Sequence, residues 1–138
     1  MFLLDTNALS ELRRPGRAHP GLIAWLSGKA PADLFISSIT LFEVELGAAL
    51  AERKDPGKGH VLRSWIDKHV VPAFRGRILA VDAEVAQRCA ALHVPIPRPQ
   101  ADSLIAATAL VHRLALVTRN VRDFECMGVP LINPWAGD

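Results

Sequence analysis

Five short stretches of the chain are apolar at nearly every position: Phe2-Leu3-Leu4, Leu34-Phe35-Ile36, Ile78-Leu79-Ala80-Val81, Leu114-Ala115-Leu116-Val117-Thr118 and Val129 to Ile132. Successive side chains of a strand point to opposite sides of its sheet, so a strand apolar throughout has to be covered on both faces. Helical patterns fill the intervals. They run over Thr6 to Arg14, Gly21 to Leu26, Leu41 to Arg53, a segment carrying Val61, Leu62, Trp65, Ile66 and Val70, Ala83 to Leu92 after the capping residue Asp82, and Ala101 to His112. Strands alternating with helices predict an α/β fold, a three-layer α/β/α sandwich with a central, mainly parallel sheet. The cluster Lys54-Asp55-Pro56-Gly57-Lys58-Gly59 reads as the turn of a helical hairpin. With 138 residues, half of them hydrophobic, the expectation is one domain spanning 1–138.

The net charge of +2 permits a polyanionic partner without demanding one. No apolar run approaches the length of a membrane span, and the first residues meet Asp5 too soon for a signal peptide. Two cysteines, Cys89 and Cys126, make no disulfide framework, which points to free thiols and a cytoplasmic location. Neither G-x-G-x-x-G nor G-x-x-x-x-G-K-[ST] occurs, arguing against dinucleotide and P-loop chemistry. Cys89 and His93 stand one helical turn apart but lack the second ligand pair of a zinc site.

Ligands of parallel α/β sheets bind beyond the carboxyl ends of the strands, and there the chain places its acids. Asp5 follows the first apolar run, where it also suits a helix cap. Glu43 follows the second, although Thr40-x-x-Glu43 matches a capping box in which the glutamate only reaches back to the cap amide. Glu45, two residues on, faces elsewhere and reads as a solvated acid. Asp102 opens a helix that is apolar nearly all round, where an acid needs a cation, though the helix dipole also favours it. Thr118, Asn120 and Asp123 follow the fourth run, with Asn120-x-x-Asp123 also compatible with a cap pair.

Each acid has a structural explanation alone; the conjunction is what constrains function. Two carboxylates about 5 Å apart repel by roughly 3 kcal/mol at an effective dielectric near 20, so a cluster of them calls for a counter-cation. Oxygen-only ligands suit Mg²⁺, with Mn²⁺ as substitute, and the matching chemistry is phosphoryl transfer or phosphodiester hydrolysis by activated water.

L-L-D-T-N followed by S-E-L, then F-E-V-E-L-G, A-D-S-L-I-A-A-T-A and L-V-T-R-N-x-x-D-F, in this order, resemble the PIN-domain ribonucleases, and more narrowly the VapC-type toxins of toxin–antitoxin modules with their FitB-like group. The resemblance spans the chain. It implies a parallel-sheet α/β/α sandwich in which acids bind Mg²⁺ or Mn²⁺ for endonucleolytic RNA cleavage. Carried over, Asp5 and Asp102 are the principal metal ligands, Glu43 is a ligand or the organiser of the attacking water, and Thr6 or Asn7 supports Asp5. Asn120 stands where many PIN domains have an aspartate, and Asp123 is its candidate substitute; without Asp123, three acids remain and a one-metal site is implied. The resemblance also implies a cognate antitoxin protein and a toxin homodimer.

Two rival readings remain at this level: a binding module that keeps the fold without activity, and a phosphatase using Asp5 as covalent nucleophile, which lacks its second aspartate because Asn7 stands there. Arg119 and Arg122 border the last motif, and Arg119 is a candidate RNA phosphate ligand. Arg13, Arg14 and Arg17 read first as a solvated basic face, and Trp25, Trp65 and Phe42 as core.

Overall fold

A computed structural model describes residues 1–136. Its elements in chain order are β1 (Phe2–Leu4), α1 (Thr6–Glu11), α2 (Pro20–Ser27), β2 (Leu34–Ser37), α3 (Ser38–Lys54), α4 (Pro56–Trp65), α5 (Val71–Ala73), β3 (Ile78–Leu79), α6 (Ala83–Leu92), α7 (Gln100–Val111), β4 (Ala115–Val117) and β5 (Leu131–Ile132). A π-helical segment, Ile66–Val70, joins α4 to α5, and short 3-10 turns at Val121–Asp123 and Glu125–Met127 follow β4.

The five strands lie in the order β3-β2-β1-β4-β5, and every pairing is parallel. From the central β1 the chain winds outward through β2 to β3, then returns to β4 on the other side of β1 and continues outward to β5. The winding direction therefore reverses between β1 and β4, and such a reversal opens a crevice at the strands' carboxyl ends. Alternation along the strands feeds two cores. Leu4, Ile36 and Val117 pack with Ala8, Leu9, Leu22, Val44 and Ala48 from α1, α2 and α3. Leu3 and Leu116 pack on the opposite face with Ile105, Ala106 and Ala109 of α7, and α6 lies behind α7 through Val85, Cys89 and Ala107. All three layers predicted by the apolar runs are present.

Local chemistry shifts several boundaries. α3 starts at Ser38 rather than Leu41, because Ser37 is the cap and its hydroxyl accepts from the Ile39 amide at 2.9 Å. The expected hairpin turn contracts to Asp55: Pro56 is tolerated at the first helical position, and Asp55 Oδ1 accepts from the Lys58 amide. Gly59 then lies against α3, where an added Cβ would fall 2.4 Å from the Glu52 Cα. Arg63 braces the same seam by bonding Glu45 and Glu52. Glu45 thus faces away from the acids as expected, held in an ion pair rather than merely solvated. The cap predicted for α6 is in place, with Asp82 Oδ1 accepting from the Val85 amide at 2.9 Å.

Two readings of apolar residues need separate outcomes. Trp25 and Trp65 are half-buried against the first core, and Trp25 meets Phe2 edge-on at 4.8 Å between ring centres. Phe42 is not core. It is 59% exposed and forms a ridge with the exposed Leu46 and Leu50 along α3, because positions four apart share a helix face and this face looks outward. Cys89 is buried, Cys126 is exposed, and both are free thiols.

The glycines of the hairpin separate packing from propensity. Gly59→Ala is expected to destabilise the protein by about 1–3 kcal/mol through the clash with Glu52. Gly47→Ala in the middle of α3, where nothing lies within 4 Å of the new methyl, is expected to stabilise it by about 0.5–1 kcal/mol. Urea unfolding midpoints of the two variants check both signs.

Candidate active site

The crevice between β1 and β4 is closed by the first residue after each strand. The Asp5 amide donates to the Val117 carbonyl at 3.1 Å, which carries the β1–β4 pairing one residue past the strand and fixes Asp5 at the crevice. Its side chain caps α1, Oδ1 accepting from the Ala8 amide at 2.8 Å. The cap expected of this residue is in place, and capping does not remove Asp5 from the cavity, which it also lines.

Glu43 comes from the layer carrying α3. The capping box is absent: Thr40 is fully buried inside the helix, and Glu43 Oε1 accepts from the Thr6 hydroxyl at 2.5 Å. Thr6 also lies 3.2 Å from the Thr40 hydroxyl, so it ties the start of α1 to α3. Asp102 comes from the opposite layer, in the first turn of α7, whose cap position is Pro99 with no side-chain cap bond. Asp5, Thr6, Asn7, Glu43, Asp102, Ile105, Asn120 and Phe124 surround one cavity of about 130 Å³. Strand, upper layer and lower layer each contribute one acid to it.

Thr118, the buried residue after β4, stands behind Asp5, and its hydroxyl oxygen accepts from the Asn120 amide at 3.0 Å. Asn120 lines the cavity, whereas Asp123 is exposed and stands just outside the lining, near enough for its charge to act on Asp102. Arg119 lines a neighbouring depression with Asn7, Ser10, Glu11 and Trp135.

The electrostatics record the convergence. Burial pushes the Asp5 carboxyl above the usual aspartate range; the Thr118 hydroxyl and the Ala8 and Asn7 amides pull it back, and the Glu43 charge pushes it further up. Asp102 is also raised, first by burial and then by repulsion from Asp123, Glu43 and Asp5. No cation opposes these charges in the cavity lining. Among the described residues no group of three or more His, Cys, Asp or Glu side chains is close enough together to hold a metal ion by itself.

The support under Asp102 was not legible in the sequence. Ser103 Oγ donates to the Gln100 carbonyl at 2.9 Å, leaving its lone pairs to accept from Cys89 Sγ and from His93 Nε2. His93 Nδ1 accepts from the Arg98 amide, which assigns the ring proton to Nε2. Cys89 and His93 therefore anchor the first turn of α7. Ile105 and Phe124, the apolar walls of the cavity, were also missed, because both look like ordinary core residues in a linear pattern.

The PIN domain family matches residues 2–128 of this chain. The chain belongs to the PIN-domain family. Within the family it is similar to the toxin FitB of Neisseria gonorrhoeae, 36% identical over 140 residues covering 98% of this chain and 99% of FitB. It is also similar to the VapC ribonuclease Y4jK of Sinorhizobium fredii, 33% identical over 142 residues and 98% of each chain. The crystal structure of FitAcB from Neisseria gonorrhoeae contains a chain that superimposes with a TM-score of 0.88 at 36% identity, over 98% of this chain and 99% of that one. A DNA-bound VapBC complex from Salmonella typhimurium gives 0.70 at 26% identity, over 96% and 97%. This PIN domain is thus of the VapC/FitB toxin type.

A carboxyl raised on folding stabilises the fold while protonated and loses that contribution as pH climbs through its folded-state value. Asp5 and Asp102 are both raised, so the metal-free PIN domain should lose stability as pH rises from the ordinary aspartate range through the raised folded-state values. Asp102→Asn removes one charge and leaves the Asp5 cap intact. Its melting temperature in chelator is expected to lie above wild type at neutral pH and to fall less steeply as pH rises.

Proposed function

We propose that this chain is a divalent-metal-dependent endoribonuclease acting as the toxin of a toxin–antitoxin pair, with the whole of 1–138 as its nuclease domain. The observation that carries the reading is the meeting of Asp5, Glu43 and Asp102, each from a different layer, around one cavity at the sheet's switch point. Mutually repelling acids with no cation among them are costly unless a cation is part of the working state. The donor set fits: carboxylate, hydroxyl and amide oxygens suit Mg²⁺ or Mn²⁺, and Mg²⁺ needs only one or two protein carboxylates because it keeps several waters. Ribonuclease names among the relatives, and toxin–antitoxin complexes among the similar structures, support the same assignment.

A bound divalent ion supplies charge for the phosphate oxygens and acidifies an attacking water. The rest falls to this chain's residues. Asp5 and Asp102 would hold the ion, one from the strand end and the other from α7. Glu43, with Oε1 occupied by Thr6, keeps Oε2 to orient the attacking water and take its proton. Asn120 completes the lining, Asp123 adds negative charge from outside, and Thr118 and Asn7 keep the Asp5 carboxylate in place. Arg119 lies on the flank where an RNA phosphate would leave the cavity.

With Mg²⁺ or Mn²⁺ the purified protein is expected to cleave RNA, and chelation should abolish cleavage until metal is restored. Asp5→Ala and Asp102→Asn should each reduce the rate by at least about 10²-fold, the scale of losing a principal electrostatic group. Undiminished cleavage by Asp5→Ala would refute the assignment. Saturable Mn²⁺ binding by calorimetry without cleavage would favour a binding module, and release of phosphate from small esters without RNA cleavage would favour the phosphatase.

The partners in this reading are an antitoxin protein and a second copy of the chain in the cytoplasm. No helix among the described residues is long and apolar enough to cross a membrane, and the exposed thiol of Cys126 suits a reducing compartment. The Phe42, Leu46 and Leu50 ridge supplies an unpaired apolar face for the homodimer. Light scattering should give a dimer mass, and Leu46→Glu should shift it toward the monomer.

A further inference from the structure

The acid cavity does not end at Glu43. Thr6 and Glu43 are also walls of a second hollow, of about 260 Å³, that runs between α1 and the α3–α4 hairpin over Gly47. Gly47 has nothing within 4 Å of its missing Cβ, so the floor there is bare. Arg13 and Trp65 close the far end of this hollow and open onto a third, of about 400 Å³. That bay is lined by Arg13, Arg14, His60 and His69 together with Val61, Ser64 and Trp65, and holds no carboxylate. Three hollows that share wall residues thus lie in a row, acidic at one end and basic at the other.

Neither Arg13 nor Arg14 enters an ion pair among the described residues, in contrast to Arg63 nearby, which is held by Glu45 and Glu52. An ion pair would have spent these guanidinium groups on the fold. Left unpaired, both guanidinium groups are available to an anion that enters the bay. The lining side chains of the bay offer donors and an aromatic face: guanidinium forks match phosphate oxygens bidentately, and the half-buried Trp65 presents a ring on which a base can stack.

We propose that this row of hollows is the path of the substrate strand: single-stranded RNA cut at the acid cavity continues over Gly47 and is gripped at its phosphates by Arg13 and Arg14. The inference rests on the ribonuclease reading. It turns the pair of arginines from a solvated basic face into a binding subsite remote from the chemistry. Because the contacts are to the backbone, they raise affinity for long RNA without selecting sequence.

The test compares wild type, Arg13→Ala/Arg14→Ala, Arg13→Lys/Arg14→Lys and the remote control Arg88→Ala. Cleavage of a long single-stranded RNA is followed with Mn²⁺, and RNA binding by fluorescence anisotropy in chelator over a salt series. The double alanine variant should raise KM about 10-fold or more, and its plot of log affinity against log salt should be shallower by about 1.4, since each single-strand phosphate contact contributes about 0.7. The lysine pair keeps the charges and should retain the slope, and Arg88→Ala should match wild type. Melting curves check that the substitutions leave the fold intact. A double alanine variant with wild-type KM and salt slope, on RNA that the wild type does cleave, overturns the track and leaves the nuclease reading standing. Unchanged RNA binding with loss of a protein partner instead gives the bay to that partner and overturns the track as well. A wild-type protein that cleaves no RNA with either metal removes the nuclease reading itself.

Discussion

Three residues hold the molecule's centre. Phe2, Leu3 and Leu4 pair with β2 on one side and β4 on the other, while Leu3 and Leu4 send fully buried side chains into opposite cores. Strand β1 is thereby fixed in register and in depth, and the residue after it has little freedom. Asp5 inherits that rigidity: its amide continues the β1–β4 ladder and its carboxylate caps α1. A charged group is kept at 4% exposure because the backbone on both sides of it is pinned by apolar burial. The loss of solvation is offset in part by the amides of Ala8 and Asn7 and the hydroxyl of Thr118.

The other two acids reach the same cavity by independent means. Glu43 is delivered by the long helix α3 and oriented by Thr6, a neighbour of Asp5 in sequence. Asp102 is delivered by α7, whose first turn is fastened by Ser103 to α6 and to the segment after it. Each layer therefore has its own anchor, and the repulsion between the acids is borne by packing that is not itself charged. This separation lets the fold hold together a cluster of acids whose mutual repulsion is unfavourable.

Much of this was legible in the sequence because it depends on short-range chemistry. Continuous apolar runs ending in Asp5 or Thr118, the Asp82 cap and the apolar helix after Asp102 carry their meaning locally. The misreadings came where a local pattern competes with a distant contact. Thr40-x-x-Glu43 is a well-formed capping box, but Ser37 begins the helix earlier and Thr6, far off in sequence, takes the glutamate. Phe42 fits an apolar helical period, yet period alone does not say which face meets the core. Gly59 looked like part of a loop and is a close contact between helices, a property of two segments rather than one. Asn120 and Asp123 divide the fourth position, one lining the cavity and the other acting by charge from outside it.

The position of the switch point bears on when the acid cavity can form. Strand β1 is made first, but its second neighbour β4 and the helix that carries Asp102 come from the last third of the chain. During synthesis Asp5 has no ladder partner on that side until Val117 has left the ribosome, and parallel pairings across such sequence separations close late. Nascent and prematurely ended chains thus lack the cavity altogether. A chain with this topology acquires its acid cluster only once α7 and β4 have been made, so the order of synthesis delays the cavity long after Asp5 itself has appeared.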